Sequence, residues 1–513
     1  MKRHLATILV GILIIVGCAN QAESETVPLW GRFETQVENT KSYSNPFKDV
    51  ELNATFTSPS GKAVDFFAYF DGDGRGGQTG NIWKLRFMPD ETGTWSYACW
   101  FSDGALGKRG EFTCVDQGDK PGPLRVEGLW LRFADGKRFY PRSYYFSEAF
   151  CGKSPHWEET IDMLFGGQRT FNFCCTTFWQ GQLLAQKGWN NIEYNGFYPI
   201  QDGDYTRLGL RSWRHVDEVV ERLESRGVVW FNFDGFVPNV GGEMGRQRTD
   251  FETQKVYIRN VVARLAPYWN ITWNIAFEWR EFLSAEQVRR LVDFTKKIDP
   301  WDHPVTVHDQ GVCKTAEELV GELHVDFVTL QYDAGKCGDA VTANGFVQQY
   351  NGRTPVYAQE VCWEADSKLD GEQVRKGAWG VTLAGGLLNY AEMFDGPNQG
   401  RPENYGDGKA IPYLEIMLDF MQSLPYQQMI PHNELVNEEC ICFVEPGSHY
   451  VCYAPKGGTI ELDLSGVSGD FSGQWLDPRD GGKQSAATVE SGGKRVFRCP
   501  DGNDWVLYLH RVQ

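Results

Sequence analysis

The 513-residue sequence has no surplus of basic charge: 50 Lys and Arg stand against 68 Asp and Glu, a formal net charge of −18. A phosphate backbone needs a basic surface, so nucleic acid is excluded as a partner. There is no CxxC pair and no Cys/His cluster at zinc spacing; Cys174 and Cys175 are adjacent, and Cys440 and Cys442 lie two apart. No metal and no cofactor is therefore expected. Asp71-Gly72-Asp73-Gly74 lacks the remaining ligand positions and the closing glutamate of a calcium loop, and reads as a turn. Low-complexity tracts and short repeats are missing. Beyond the N-terminus, no stretch is apolar and long enough to cross a bilayer.

What is present is a packed, aromatic-rich chain. Apolar residues make up 41% and aromatics 14%, with 18 Trp and 21 Tyr. Such a length exceeds one core, so two to four domains are expected. Aromatics serve cores, and in an exported protein they also stack on sugar rings. Export is signalled by Met1-Lys2-Arg3-His4, the apolar run from Leu5 to Val16, and Gly17-Cys18. Ile15-Val16-Gly17-Cys18 resembles the bacterial lipobox, which implies a lipidated Cys18, a signal over 1–18 and a tether over 19–26. The alternative is an ordinary signal cleaved near Ala19 or Ala22. The expected location is outside the cytoplasm, lipid-anchored to a bacterial membrane at the cell surface or in the periplasm, with the anchor as the sole membrane contact. Export permits disulfides. One or two are expected, with Cys99 and Cys114 as a candidate pair flanking a hairpin.

Three regions separate by pattern. Residues 27–120 show short alternating runs between Gly, Pro and Asp turns, as in a β-sandwich. Residues 121–428 alternate strand and helix. Strands are predicted over 138–146, 170–178, 228–233, 271–277, 304–308, 326–332, 355–359 and 387–393. Helices are predicted at Trp213–Arg226, Thr253–Leu265, Ala285–Ile298 after an N-cap at Ser284, and Gly371–Ala384. Eight such units have the rhythm of a (β/α)8 TIM barrel. The rival, an open doubly wound sheet, would carry a Gly-rich phosphate loop after its first strand, and none follows here. Residues 429–513 return to short strands, a second β-sandwich. The expected fold is thus a central barrel flanked by two β-sandwich domains.

Barrel chemistry sits at the carboxyl ends of the strands. Those positions hold Glu148, Trp179, Asp234, Glu278 and Glu281, His308, Tyr332, Glu360, Trp363 and Glu392. Carboxylates with Tyr, Trp and one His suit a polyhydroxylated ligand. Two glutamates, Glu278 after strand four and Glu360 after strand seven, lie 82 residues apart (360 − 278). Trp273-Asn274-Ile275-Ala276-Phe277-Glu278 resembles the strand-four acid/base segment of glycoside hydrolase clan A, and Pro355-Val356-Tyr357-Ala358-Gln359-Glu360 its strand-seven nucleophile segment. Trp83 to Pro89 with Gly93-Thr94-Trp95-Ser96-Tyr97 resembles an N-terminal domain of unknown function found in apiosidase-related bacterial polysaccharide-utilisation proteins. Trp475-Leu476-Asp477-Pro478-Arg479, with Pro500 through Leu507, resembles the collagen-binding-type domain that ends such proteins.

The resemblance implies a retaining glycoside hydrolase of plant or algal poly- or oligosaccharides, with Glu360 as nucleophile and Glu278 as acid/base. Glu148, Trp179, Asp234, His308, Tyr332, Trp363 and Glu392 are the candidate substrate contacts. One position departs: many clan members have Asn before the acid/base, where this chain has Phe277. That leaves the sugar 2-hydroxyl contact unassigned, keeps Glu281 as a rival acid/base, and admits a non-catalytic carbohydrate-binding lipoprotein as the alternative. The sugar, its linkage and the oligomeric state stay open at this point.

Overall fold

A computed structural model of the chain describes residues 25–146, 157–166, 169–176, 199–237, 250–311, 315–332, 336–350, 354–365, 369–393, 405–490 and 492–512. Glu148, Trp179 and Cys18 lie outside these residues.

The N-terminal region is two sheets sharing one core. A five-stranded sheet runs in the order Glu25–Pro28, Arg109–Val115, Gly93–Phe101, Leu52–Thr57, Ala63–Phe67, and a three-stranded sheet in the order Phe33–Glu38, Ile82–Phe87, Tyr69–Phe70. Alternation decides the inner face: in Leu52–Thr57 every second residue is buried. Rings from both sheets meet there, with Phe33 stacked on Phe112 at 4.4 Å and Phe56 on Phe87 at 3.9 Å. The Asp71–Gly74 stretch is a turn, and Asp71 is buried against Lys84 and Arg264, each at 3.0 Å. Cys99 and Cys114 do not pair. Cys114 lies opposite Gly93, six residues along the strand from Cys99; that separates them by about 20 Å at ~3.3 Å per residue, far beyond disulfide reach.

The central region supplies parallel strands β1 (Ser143–Tyr145), β2 (Phe173–Thr176), β3 (Val229–Asn232), β4 (Trp273–Asn274), β5 (Val305–Thr306 and His308–Asp309), β6 (Val328–Gln331), β7 (Val356–Glu360) and β8 (Gly386–Tyr390). Seven of them form one sheet in the order β3-β2-β1-β8-β7-β6-β5. β4 pairs with the first half of β5, and bridges at Trp230–Ile271 and Val237–Ala276 tie it to β3. This is a TIM-like core. A helix follows each strand: α1 (Trp157–Phe165), α2 (Leu210–Ser225), α3 (Phe251–Leu265), α4 (Ala285–Ile298), α5 (Ala316–Leu323), α6 (Ala340–Gln348), α7 (Gly371–Leu383) and α8 (Ile411–Gln422). α4 shows why. Ser284 and Gln287 form a reciprocal capping box, and Val288, Leu291 and Val292 are buried along one stripe.

The strand predicted over 138–146 is two. Arg138–Phe139 joins Trp130–Phe133 and Leu124–Glu127 in a small antiparallel sheet, and β1 begins only at Ser143. Pro141, which has no N–H to give a ladder, lies between them.

The C-terminal region is a six-stranded antiparallel sheet beside a two-stranded one. It contains two strands that sequence reading passed over, Lys483–Glu490 and Lys494–Arg498. Their residues are largely exposed, so they carry little apolar alternation.

Both flanking regions are clamped to the barrel region by buried charge. Arg86 forks onto Asp217 of α2 at 2.9 and 3.0 Å, and Arg264 of α3 reaches the same carboxylate at 2.8 Å. On the other side, Arg375 of α7 forks onto Asp504 at 3.0 and 2.9 Å, with the Tyr453 hydroxyl donating to it at 2.9 Å. Paired charges and bidentate geometry are what allow such groups to be buried.

Candidate active site

The chain leaves β4 through Ile275-Ala276-Phe277 and reaches Glu278, whose φ is 47°. A left-handed glutamate is uncommon and costs about 1–2 kcal/mol, a kind of strain that clusters at functional sites. A single 3-10 turn, Trp279–Glu281, starts directly after it. Burial pushes the Glu278 carboxyl above its ordinary range, and the charges of Glu281 and Asp234 push the same way, against a hydrogen bond from Gln310. Asp234, itself buried, follows β3. Gly235 makes that approach possible: its φ is 74°, and a Cβ there would stand 2.6 Å from the Ala276 Cα.

His308, on β5, links the two glutamates. Its Nδ1 accepts the Glu278 backbone N–H at 3.3 Å, and its Nε2 lies 3.8 Å from Glu360 Oε2. Accepting at Nδ1 puts the ring proton on Nε2, facing Glu360. The imidazole is fully buried, which pushes its pKa down to about 3 and keeps it neutral. Phe277 lies flat on it, ring centres 4.4 Å apart at 8°. Phe277 thus has a place in the site: where a polar residue would reach the substrate, a ring seals the imidazole.

Glu360 ends β7, its side chain 23% exposed. The adjoining wall is aromatic. Trp363 is buried, stacked on Tyr145 at 5.1 Å and close to Phe233 at 5.9 Å, and its indole N–H donates to the Gln359 carbonyl at 3.0 Å. Glu281 differs from Glu278 in setting: it is exposed and accepts from Gln310 at 3.0 Å.

Of the expected site residues, the structure brings together Asp234, Glu278, His308, Glu360 and Trp363. Tyr332 contributes backbone, its N–H donating to the Glu360 carbonyl at 3.0 Å, while its ring stacks on Phe346 of α6 at 3.8 Å. Glu392 is placed as an anchor by its hydrogen bonds. One of its oxygens takes the Tyr144 hydroxyl and the Gly406 N–H (2.9 Å), the other the Gly408 N–H and the Tyr390 hydroxyl (3.4 Å). Its carboxylate holds the segment entering α8. Sequence reading missed Gln310, Phe233 and Tyr145. Gln310 follows His308-Asp309 and was within reach of the strand-end rule; the two rings looked like ordinary core.

Three family models match the chain: "Domain of unknown function (DUF5060)" over residues 26–102, "Apiosidase-like, catalytic domain" over 170–389, and "Putative collagen-binding domain of a collagenase" over 424–510. Residues 170–389 are thus similar to an apiosidase-like catalytic domain. Both glutamates, His308 and Asp234 fall inside it. No curated protein matches the chain in sequence. Among solved structures, a "putative glycoside hydrolase" from Bacteroides vulgatus ATCC 8482 superposes with TM-score 0.76 at 19% identity, over 95% of this chain and 100% of the other. A glycoside hydrolase family 5 structure from the same organism superposes at 0.60 and 17% identity, over 77% of this chain and 94% of the other. At such identities the likeness is one of fold: a multidomain, glycoside-hydrolase-like architecture around the apiosidase-like domain.

Proposed function

We propose that the chain is a retaining hydrolase of O-glycosidic bonds in a plant or algal poly- or oligosaccharide, with Glu360 as nucleophile and Glu278 as acid/base. The carrying observation is the shared imidazole: one neutral, buried His308 reaches the backbone of one glutamate and the carboxylate of the other. The apiosidase-like match and the fold of the glycoside hydrolase neighbours support the same reading. The pairings between β3, β4 and β5 support closure of the parallel strands into an eight-stranded barrel with both glutamates at its mouth.

The division of labour follows from environment. Glycosidic cleavage needs a protonated carboxyl for the leaving oxygen and an ionised one at the anomeric carbon. Glu278, its proton held by burial and by neighbouring Asp234 and Glu281, is the donor. Glu360 attacks the anomeric carbon as the bond to the leaving oxygen breaks and Glu278 gives that oxygen its proton. Glu278, now ionised, takes a proton from water; the water oxygen attacks the anomeric carbon and Glu360 departs as carboxylate. The His308 Nε2 proton, aimed at Glu360, stabilises its ionised form in both resting and departing states. Exposed Glu281 lacks the burial the donor requires. The N-terminal signal supports export and a lipid anchor at Cys18, which would hold the enzyme beside its glycan.

The test is hydrolysis of a panel of plant and algal glycans with the product anomer followed by NMR. Release of the same anomer as in the substrate is expected; the opposite anomer would assign inversion and remove Glu360 from covalent work.

A further inference from the structure

The C-terminal region brings two cysteines face to face. Cys442 lies in the strand Ile441–Glu445 and Cys452 in His449–Ala454, and the antiparallel register sets them directly opposite. The Cys442 N–H donates to the Asn433 side chain at 2.9 Å, and its carbonyl accepts from the His432 N–H at 2.8 Å. Both groups point away from Cys452. This is therefore a non-hydrogen-bonded cross-strand pair, the kind whose Cα atoms stand about 4.5 Å apart with side chains in close approach. A disulfide spans Cα separations from about 4.4 Å upward. The two Sγ atoms are 3.3 Å apart, and both residues are fully buried.

We propose that Cys442 and Cys452 are a disulfide site, oxidised as the exported chain folds and closing the hairpin around Pro446-Gly447-Ser448. The hairpin is local. Gly447 takes the left-handed conformation with φ 78°, and the Ser448 N–H returns to the Glu445 carbonyl at 3.0 Å. The thiols therefore meet without waiting for distant strands. Once the sandwich has formed they are sealed, and the hydrogen bond with Cys442, followed by burial, pushes the Cys452 thiol well up. Thiolate is the reacting species, so the folded dithiol is inert and the reaction belongs to folding.

The oxidant is a low-molecular-weight or protein disulfide. One cysteine thiolate attacks an oxidant sulfur, forming a mixed disulfide and releasing the first oxidant thiol. The second cysteine thiolate then attacks the cysteine sulfur of that mixed disulfide and releases the other. Two S–H protons and two electrons pass to the oxidant, which leaves as two thiols. Cys440 is the built-in competitor. It sits two residues before Cys442, hence on the same side of the strand, with its Sγ 3.7 Å from the Thr459 carbonyl.

The experiment refolds the full reduced chain with oxidised glutathione, blocks remaining thiols with iodoacetamide, and cleaves after aromatic residues with chymotrypsin, without reductant. Cleavage after Phe443, Tyr450 and Tyr453 separates the peptide that ends at Phe443, with Cys440 and Cys442, from residues 451–453, with Cys452, unless a disulfide joins them. The expected product is one joined species carrying a single alkylated cysteine, with the mass of the two fragments plus one carbamidomethyl group minus two hydrogens. It should persist in Cys440→Ser and vanish in Cys442→Ser. Because Cys442→Ser can fail to fold, the wild-type map and Cys440→Ser suffice alone. Separate fragments with every thiol alkylated, or a link that Cys440→Ser abolishes, would overturn the assignment. Folded, reduced protein given the same oxidised glutathione should stay unlinked; linking there as fast as during refolding would overturn the folding-coupled route.

Discussion

Two pairs of glutamates lie at the carboxyl ends of these strands, and the chain treats them differently. Glu364 and Glu392 stand opposite each other in a short parallel pairing just past β7 and β8. Glu364 takes the Tyr390 hydroxyl at 2.7 Å and the Lys409 and Ala410 N–H groups at 3.0 and 2.8 Å; Glu392 takes two hydroxyls and two glycine N–H groups. Glu278 and Glu360 instead flank a single imidazole, which meets the backbone of the first and the carboxylate of the second. Residue type is the same in both pairs, and all four lie at or just past the end of a strand. Setting separates them: the Glu364 and Glu392 carboxylates are tied down by tyrosine hydroxyls and backbone N–H groups, whereas the Glu278 carboxyl is raised by burial beside Asp234 and Glu281, and Glu360 ends β7 beside a neutral imidazole.

The contrast can be broken by exchanging the consequences. The largest expected effect is from Glu360→Gln, a fall in kcat/KM of about a thousandfold or more with the fold unchanged by circular dichroism. Glu278→Gln should cost about 10²–10⁴-fold. Glu392→Ala should do the reverse: donors left unpaired at about 1–3 kcal/mol each should lower the melting temperature clearly, while the fraction that folds keeps its kcat. A fully stable, inactive Glu392→Ala would erase the distinction.

That distinction was only partly legible in the sequence. Strand rhythm and the two segments ending at Glu278 and Glu360 were readable because strand ends follow directly from apolar runs. Glu392 was not, because its partners Tyr144, Gly406 and Gly408 lie up to 248 residues away and belong to no local pattern. Phe277 looked like a missing ligand until His308 lay beneath it. The exposed strands Lys483–Glu490 and Lys494–Arg498 gave no apolar signal, and Pro141 split a strand that composition alone made continuous.

pH sharpens the comparison further. Because burial raises the Glu278 carboxyl, the acid form persists to higher pH, and kcat/KM should fall on the alkaline side as that proton is lost. Glu281→Gln should leave the limb nearly in place, with an effect of about twofold or less; a large loss would move the donor to Glu281. A smaller effect is expected at the domain seam. Burial pushes the Asp217 carboxyl up, but Arg264 and then Arg86 outweigh it and hold it well below its ordinary range. A depressed carboxylate stabilises the fold above its unfolded pKa of about 4 and loses that contribution as pH falls below it. Urea midpoints measured from pH 6 to pH 3 should therefore decline more steeply for wild type than for Asp217→Asn, which starts lower.

The most direct test of the central claim is hydrolysis of a broad plant and algal glycan panel by wild type beside Glu360→Gln and Glu278→Gln. The account predicts activity in the wild type that both substitutions remove while circular dichroism and melting stay unchanged. Full activity surviving either substitution would contradict it.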